Sequence, residues 1–282
     1  MEELQDRGRF SLTTAWNHRP VLTPASHQLP AASFLLPPDS SHCMQHETHS
    51  WHSPALDRSM TLQVIGHAGA RVLVFPTSMG THSEWPDRHM HEVLQDHLDQ
   101  GWIQLFCLDQ PHEENWGNDR THPGRRGWVH QQYFRYVHDE VLPFSSGVNP
   151  NPFVIATGAS LGATHAATFG LLYPERVNRV LGMSGMYDQK RMTDGFSDGN
   201  VYAVNPMDFM VHEHDPRRMA AFQRQDLIFV IGRDDPMYQN NIDFSRLLWS
   251  KGIGNALRTW DEHAHDWPCW EKMVRMYLGG HG

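Results

Sequence analysis

The sequence predicts an α/β fold, in which a mostly parallel sheet of about eight strands is covered by helices on both faces. After residue 42, short apolar runs alternate with segments whose apolar residues recur at helical spacing. Some of these runs, such as IQLFCL at residues 103–108 and LIFVIG at residues 227–232, are apolar throughout. Uninterrupted apolar strands are typical of a sheet that is covered on both faces, and such sheets carry their functional side chains at the carboxyl ends of the strands.

Composition narrows the class of protein. The 282-residue chain contains 39% hydrophobic residues, enough for a sizeable core. A formal net charge of −9 without a run of Lys or Arg argues against nucleic acid or an anionic membrane as a partner. No apolar run approaches the ~18 residues of a membrane helix, and the first residues lack the order of a secretory signal. We therefore expect a cytoplasmic protein that acts on a small molecule.

Cysteine and histidine usage does not indicate a metal site. The chain has three cysteines, which are Cys43, Cys107 and Cys269. An odd number without CxxC spacing indicates neither a disulfide framework nor a thiolate zinc site. The run HCMQHETHSWH at residues 42–52 holds four of the 21 histidines. In a strand, His46 and His52 would share a face and His49 would point away, so we interpret the run as a solvated strand. We expect no metal and no organic cofactor.

Two segments depart from the regular alternation. Residues 1–42 are rich in Pro, Ser and Thr and have no sustained period, which predicts an extended N-terminal arm or linker before a domain of residues 43–282. Within that domain, residues 187–225 form an irregular, cap-like insertion rich in Gly, Pro and aromatic side chains. An insertion of this length is either a functional cap or a surface excursion that packs its own aromatic residues.

Local patterns predict the individual elements. MTLQVIG at residues 60–66 and RVLVFPT at residues 71–77 are joined by HAGA, which predicts an antiparallel hairpin. Apolar residues at helical spacing between Met90 and Leu98 predict one helix over about residues 85–100. The further predicted strands are 103–108, 151–158, 179–185, 227–232 and 255–260, and the further predicted helices are about 127–144, 161–173, 240–250 and 267–278.

Ser160 lies in GASLG, between Gly158 and Gly162, where a predicted buried strand meets a predicted helix. A serine hydroxyl is almost un-ionised at neutral pH, so a nucleophilic serine needs a neighbouring base that is oriented by a carboxylate. Glycines on both sides leave room for a tight, strained turn. The strand–turn–helix setting favours a nucleophile elbow over an ordinary turn.

Residues suited to the other two roles follow in the order typical of nucleophile-elbow proteins, which is serine, acid and histidine. RDDPMYQ places Asp234 and Asp235 directly after the next-to-last predicted strand. DEHAHDW places His263 and His265 after the last one. Because the carboxyl ends of parallel strands share one edge of the sheet, the sequence predicts a catalytic triad with Ser160.

An oxyanion hole would be formed by backbone N–H groups, which side-chain identity does not specify. The expected donors are the N–H of Leu161, directly after the serine, and that of Ser78 or Met79 in the loop after the strand RVLVFP.

Five separated motifs carry a resemblance to a known family. They are SWHSPALDRSMTLQVIGHAGARVLVFPTSMG, IQLFCLD, GASLGATHAATFGLLYPERVNRVLGMSGMYD, NVYAVNP and HDWPCW. In this order they resemble the α/β-hydrolase esterases related to S-formylglutathione hydrolases, feruloyl esterases and mycolyltransferases. The resemblance runs from about Ser50 to Leu278 and does not include the first 40 or so residues.

The resemblance implies an α/β-hydrolase fold and a serine esterase that cleaves carboxylic esters or thioesters without a cofactor. It implies Ser160 as the nucleophile and His265 as the general base. The acid is expected in the loop after LIFVIG, where Asp235 matches the family's pattern. Asp234 is the second choice and Asp188 the third.

Side chains in neighbouring loops could contact the substrate. The residues are His112, Glu113, Glu114 and Trp116 after IQLFCLD, and Trp267 after the histidine. Aromatic side chains there suit a sugar, aryl or acyl group, although packing within the loops is an equal alternative. Two other functions stay open, namely a non-catalytic binding module of the same fold and an acyltransferase that uses the same triad.

Overall fold

The computed structural model describes residues 46–111, 114 and 116–279, so the arm predicted for residues 1–42 lies outside the described residues. The strands are β1 (His46–Ser53), β2 (Arg58–Ile65), β3 (Ala70–Phe75), β4 (Ile103–Leu108), β5 (Val154–Ala159), β6 (Arg179–Met183), β7 (Asp226–Gly232) and β8 (Ala256–Trp260). The helices are α1 (Glu84–Asp87), α2 (Met90–Val93), α3 (Gln95–Asp99), α4 (Pro123–Tyr136), α5 (Leu142–Val148), α6 (Leu161–Leu172), α7 (Gly199–Tyr202), α8 (Pro206–His212), α9 (Pro216–Phe222), α10 (Tyr238–Ser250) and α11 (Trp267–Tyr277). In the described part of the chain, no helix is long and apolar enough to cross a membrane.

The eight strands form one sheet in the order β1-β2-β4-β3-β5-β6-β7-β8. The pairs β1/β2 and β2/β4 are antiparallel, and the five remaining pairs are parallel. The prediction of a mostly parallel sheet is therefore confirmed. Because β3, β5, β6, β7 and β8 run in the same direction, the loops that follow them emerge at one edge of the sheet.

The predicted hairpin between residues 60–66 and 71–77 is wrong. Strand β4 lies between β2 and β3 and pairs with both of them. The glycines of the connection allow the chain to pass closely over the start of β4, and they do not form a hairpin turn. A Cβ on Gly69 would clash with the backbone of Trp102 and Ile103, and the Ala70 N–H donates to the Trp102 carbonyl at 2.8 Å. The hairpin partner of β2 is β1, the strand predicted from the histidine-rich run.

Two apolar cores lie on opposite faces of the sheet, as predicted. Successive residues of β3 alternate between them, with Leu73 and Phe75 in one core and Val72 and Val74 in the other. The first core is completed by residues of α4, α6 and α10, and the second by residues of α1 to α3 and α11. Cys107 is buried in the second core, in agreement with its interpretation as a strand residue.

Two helical predictions differ in detail from the structure. The helix predicted over residues 85–100 is split into α1, α2 and α3. His89, with a left-handed φ of 57°, separates α1 from α2, and Leu94, with φ −102° and ψ 13°, separates α2 from α3. The predicted apolar face is nonetheless correct, since Met90, Leu94 and Leu98 are buried. The helix predicted over residues 127–144 extends further, as α4 continues through a π-helical turn at Val137–Val141 into α5.

The segment of residues 187–225 contains more regular structure than its sequence indicates. It holds a 3₁₀ turn at Gln189–Met192 and the short helices α7, α8 and α9. Asp188, Asp198 and Asp215 cap three of these elements by accepting backbone N–H groups. Val201 and Phe222 are buried in the first core. The segment is thus packed onto the domain, and its role as a cap stays a prediction.

Candidate active site

Ser160 occupies the sharp turn between β5 and α6. Its backbone has φ 52° and ψ −120°, a conformation that a residue with a side chain adopts only under strain. The Ser160 N–H donates to the Met183 carbonyl at the end of β6, at 2.8 Å, which fixes the turn against the neighbouring strand. Strain of this kind is the geometry expected of a nucleophile elbow.

The glycines on either side of Ser160 are required by close contacts of the backbone. A Cβ on Gly158 would meet the backbone of Gly162 and the carbonyl oxygen of Phe75. A Cβ on Gly162 would clash with that same carbonyl and lie 2.8 Å from the Pro76 carbonyl. The predicted steric role of both glycines is thereby confirmed, and the end of β3 lies directly against the elbow.

Three of the predicted side chains form a hydrogen-bonded series. His265 Nε2 lies 3.1 Å from Ser160 Oγ, and His265 Nδ1 lies 2.7 Å from Asp235 Oδ2. Asp235 comes from the loop after β7, and His265 from the loop between β8 and α11. These distances are within hydrogen-bond range, so the imidazole can exchange a proton with the serine while the carboxylate holds its other nitrogen.

The environment of Asp235 keeps its carboxyl group ionised. Burial acts to raise the pKa of Asp235, but the hydrogen bonds from His265 and from the Met237 N–H, together with the nearby His263, lower it below its ordinary value. An ionised carboxylate at this position favours the tautomer of His265 that carries its proton on Nδ1. That tautomer leaves Nε2 free to accept the serine proton.

The two alternative acids have other surroundings. Asp234 is exposed, and its backbone N–H donates to the Glu262 carbonyl. Asp188 caps the 3₁₀ turn, where its Oδ1 accepts from the Lys190 N–H and from Asn205 Nδ2. The described contacts therefore favour Asp235 as the partner of His265.

The loop that carries His265, residues 261–266, is fixed by backbone packing. A Cβ on Gly232, the last residue of β7, would clash with the backbone of His263. The hydroxyl of the buried Ser184 donates to the Ala264 carbonyl at 3.1 Å and accepts from Trp270 Nε1 at 3.1 Å. Gly232 and Ser184 thus help to fix the position of His265 relative to the sheet. The sequence analysis did not identify either residue.

The turn of Thr77 to Gly80, called here the oxyanion turn, is held by two side chains. The Glu84 carboxylate accepts from the Thr77 N–H at 2.9 Å and from the Thr77 hydroxyl at 2.5 Å. The Gln110 side-chain amide donates to the carbonyls of Thr77 and Gly80. The Gly80 N–H donates to the Thr77 carbonyl at 3.0 Å and closes the turn.

These bonds engage the backbone N–H groups at both ends of the oxyanion turn. Ser78 and Met79 are its central residues, and their role as oxyanion donors beside Leu161 stays a prediction. Sequence reasoning missed Glu84 and Gln110. Their signal is a polar residue two positions after β4 and an acidic residue four positions beyond the turn, which are common features of any loop.

The predicted substrate contacts have different placements. His112 and Glu113 lie outside the described residues. Glu114 forms ion pairs with Arg58 and Arg125, both at 3.1 Å.

The two tryptophans differ in accessibility. Trp116 is only 2% exposed and stacks on His130 with ring centroids 4.5 Å apart, so it packs in the core and offers little surface to a ligand. Trp267 is partly exposed and borders an open groove beside the oxyanion turn.

One group of side chains in the described part of the chain has the composition of a metal site. Potential ligand atoms of Asp235, His263 and His265 lie within 4.8 Å of one another. However, Asp235 and His265 are hydrogen-bonded to each other, and the rings of His263 and His265 are nearly parallel, at 19°. Two of the three potential ligands are therefore already engaged with each other, in an arrangement that serves proton transfer to and from Ser160.

Comparisons of the sequence find no match, either among protein-family models or among curated proteins. Solved structures match in fold. An S-formylglutathione hydrolase from Agrobacterium tumefaciens has a TM-score of 0.65 at 17% identity, covering 84% of this chain and 94% of that chain. A ferulic acid esterase has a TM-score of 0.64 at 17% identity, covering 84% and 97%. The ferulic acid esterase of Anaeromyces mucronatus has a TM-score of 0.62 at 11% identity, covering 84% and 90%.

The structural neighbours are α/β-hydrolase esterases. The chain has the α/β-hydrolase fold, over nearly the whole length of these neighbours. The predicted fold class is therefore confirmed.

Proposed function

We propose that this protein is a serine esterase that hydrolyses carboxylic esters or thioesters through an acyl-enzyme. The observation that supports the proposal most strongly is the hydrogen-bonded series from Ser160 Oγ through His265 to Asp235, with the serine in a strained turn at the carboxyl end of β5. The esterase activities named for the structural neighbours agree with this chemistry.

In the first half of the reaction, Ser160 Oγ attacks the carbonyl carbon of the ester, and its proton passes to His265 Nε2. Asp235 keeps the imidazole oriented through Nδ1 and stabilises the imidazolium ion that forms. The carbonyl oxygen becomes negatively charged. It accepts hydrogen bonds from the N–H of Leu161 and from that of Ser78 or Met79.

In the second half, the tetrahedral intermediate collapses and His265 returns the proton to the leaving alcohol or thiol. A water molecule, deprotonated by His265, then attacks the acyl carbon and releases the acid and Ser160. Each step uses groups of this chain and water.

The proposal is tested with a panel of 4-nitrophenyl esters and matched thioesters, assayed with the wild-type protein and Ser160→Ala. The variant should lose at least ~10³-fold in kcat because it lacks the nucleophile, and it should keep the wild-type circular dichroism spectrum. Product analysis with an added alcohol separates hydrolysis from acyl transfer. A Ser160→Ala protein with wild-type turnover would refute the proposal, and a wild-type protein inactive on every ester would favour a binding module.

The acid is identified by comparing Asp235→Asn with Asp234→Asn and Asp188→Asn. An amide at position 235 cannot hold His265 in the required tautomer, so this variant should lose ~10³-fold or more in kcat. The two other variants should stay within about threefold of the wild type in kcat, because neither Asp234 nor Asp188 is hydrogen-bonded to His265 in the described structure. A larger loss in Asp188→Asn than in Asp235→Asn would reassign the acid.

A further inference from the structure

An open groove of about 540 Å³ lies beside the proposed reaction centre. It is lined by Thr77, Met79, Gly80, Thr81, Glu84, Asp87, Arg88 and Trp267. One wall is the oxyanion turn, and the other is formed by Trp267, two residues after His265. In the proposed mechanism the oxyanion turn binds the ester carbonyl, so we expect a group attached to that carbonyl to lie on the side of this groove.

Arg88 is the cation of this lining, and it is held in place by an aromatic ring. Its guanidinium carbon lies 5.2 Å from the centroid of the Trp267 ring, which is cation–π distance. In the described part of the chain, no carboxylate lies within ion-pair distance of Arg88. Arginine forms bidentate hydrogen bonds to planar anions, and among residues 46–111, 114 and 116–279 no hydrogen bond from this guanidinium is found.

The two carboxylates of the groove are engaged by neighbouring groups. Both oxygens of Glu84 accept hydrogen bonds from Thr77 in the oxyanion turn. Asp87 Oδ2 accepts from the Ser83 hydroxyl at 2.7 Å. These hydrogen bonds join the two carboxylates to Thr77 and Ser83, whereas Arg88 contacts Trp267.

Trp267 is a rigid platform that is connected to the proposed base. Its ring packs edge-on against Trp270 with centroids 5.1 Å apart, and Trp270 packs edge-on against His265 at 5.4 Å. The Trp270 indole N–H is itself bonded to the buried Ser184. The exposed Arg88 therefore stacks on a tryptophan that is linked by ring contacts to His265.

We propose that the groove binds the carboxylate of an anionic ester substrate, with Arg88 as the residue that determines this specificity. The inference rests on the proposed esterase function and narrows it from esters in general to esters with a carboxylate near the scissile bond. Arg88 contributes binding and takes no part in proton transfer.

The test uses two pairs of esters that differ only in charge. In the first pair, mono-4-nitrophenyl adipate carries a carboxylate on the acyl side and 4-nitrophenyl hexanoate does not. In the second pair, 4-acetoxybenzoate carries a carboxylate on the alcohol side and its methyl ester does not. The readout is the ratio of kcat/KM for the anionic ester to that for the neutral ester, at low salt and at 0.5 M NaCl.

We expect the wild-type protein to prefer the anionic member of at least one pair by about tenfold. Arg88→Met keeps the apolar stem but removes the charge, and it should abolish the preference. Arg88→Lys should retain only part of it, because an ammonium group lacks the planar fork. The control Arg246→Met removes an exposed arginine on α10 and should leave the ratio unchanged.

The outcomes separate the two claims. If neutral esters are hydrolysed through Ser160 but Arg88→Met leaves both ratios unchanged, the inference about the groove is wrong and the esterase function stands. If the broader panel is hydrolysed through Ser160 but no anionic ester of either pair is, the inference about the groove alone is wrong, and if no ester or thioester is hydrolysed, both claims fail. Equal loss of preference in Arg88→Met and Arg246→Met would show a general charge effect and would also contradict the groove.

Discussion

The two loops beside Ser160 are held in place by different means. The oxyanion turn is fixed by side chains, since Glu84 and Gln110 bind its backbone from either side. The loop of residues 261–266 is fixed mainly by its backbone, which packs directly on Gly232. It also contains Glu262 and Ala264 at positive φ, 63° and 46°, so it carries backbone strain that the oxyanion turn lacks.

This difference predicts which substitutions damage each loop. The oxyanion turn should be sensitive to the loss of a polar side chain, because its donors and acceptors come from residues outside it. The histidine loop should be sensitive to added volume beneath it, because no space separates it from β7. Both loops should tolerate changes to exposed residues.

The largest effect is expected for Gly232→Ala. The added methyl group would collide with the His263 backbone and displace His265 from Ser160 and Asp235. A displacement of about 1 Å can cost ~10²-fold in rate, so kcat should fall by at least that factor. Steady-state kinetics measure the loss, and Gly254→Ala is the control because the nearest atom to its added Cβ would be 4.0 Å away. Wild-type activity in Gly232→Ala would contradict the tight packing of this loop.

A smaller effect is expected for Glu84→Ala, which releases the oxyanion turn. The Thr77 N–H and hydroxyl lose their acceptor, so the turn can move and stabilise the oxyanion less well. We expect kcat to fall by about 10- to 100-fold with a smaller change in KM, since the oxyanion contact is strongest in the transition state. Glu92→Ala, which removes an exposed carboxylate from α2, serves as the control. A change in KM alone would mean that Glu84 acts on substrate binding instead.

Ser184→Ala should have the smallest effect on activity. It leaves the Trp270 indole N–H and the Ala264 carbonyl without their shared hydroxyl partner, while Gly232 still supports the loop. Loss of a buried hydrogen-bond partner costs about 1–3 kcal/mol, which chemical denaturation would detect as a lower midpoint. We expect kcat to fall by no more than about tenfold. A loss as large as that of Gly232→Ala would show that Ser184, rather than backbone packing, fixes the histidine.

The pH dependence of stability is expected to come from buried histidines and not from the two loops beside Ser160. On α6, His165 is fully buried, and burial together with the neighbouring His130 places its pKa well below its ordinary value. Burial also lowers the pKa of His130, to about 4. The unfolded chain therefore binds more protons below pH ~6.5, and the free energy of unfolding should fall by about 1.4 kcal/mol per pH unit for each histidine.

Chemical denaturation at pH 7.5, 6.0 and 5.0 measures this dependence. Stability should be full above pH ~6.5 and decrease toward pH 4, and His165→Leu should remove roughly half of the slope. The Gly232→Ala and Glu84→Ala variants should keep the wild-type slope. An unchanged slope in His165→Leu would assign acid sensitivity to other groups.

The sequence predicted the parts of this site that depend on order along the chain. Ser160 directly follows β5, and Asp235 and His265 lie three and five residues beyond the ends of β7 and β8, so recognising the strands was enough to bring the residues to one edge. The hairpin prediction failed because HAGA has the composition of a turn, and only the position of β4 shows that the chain crosses it. Glu84, Gln110, Ser184 and Gly232 depend on contacts between distant segments, which neither composition nor periodicity specifies.

The most direct test of the central claim is an intact-mass and peptide-mapping measurement after treatment with a fluorophosphonate probe. We predict one covalent adduct per chain, located on Ser160, that is absent in Ser160→Ala and forms more slowly in Asp235→Asn and Gly232→Ala. Absence of an adduct in the wild-type protein, or an adduct on another residue, would contradict the assignment of Ser160 as the nucleophile.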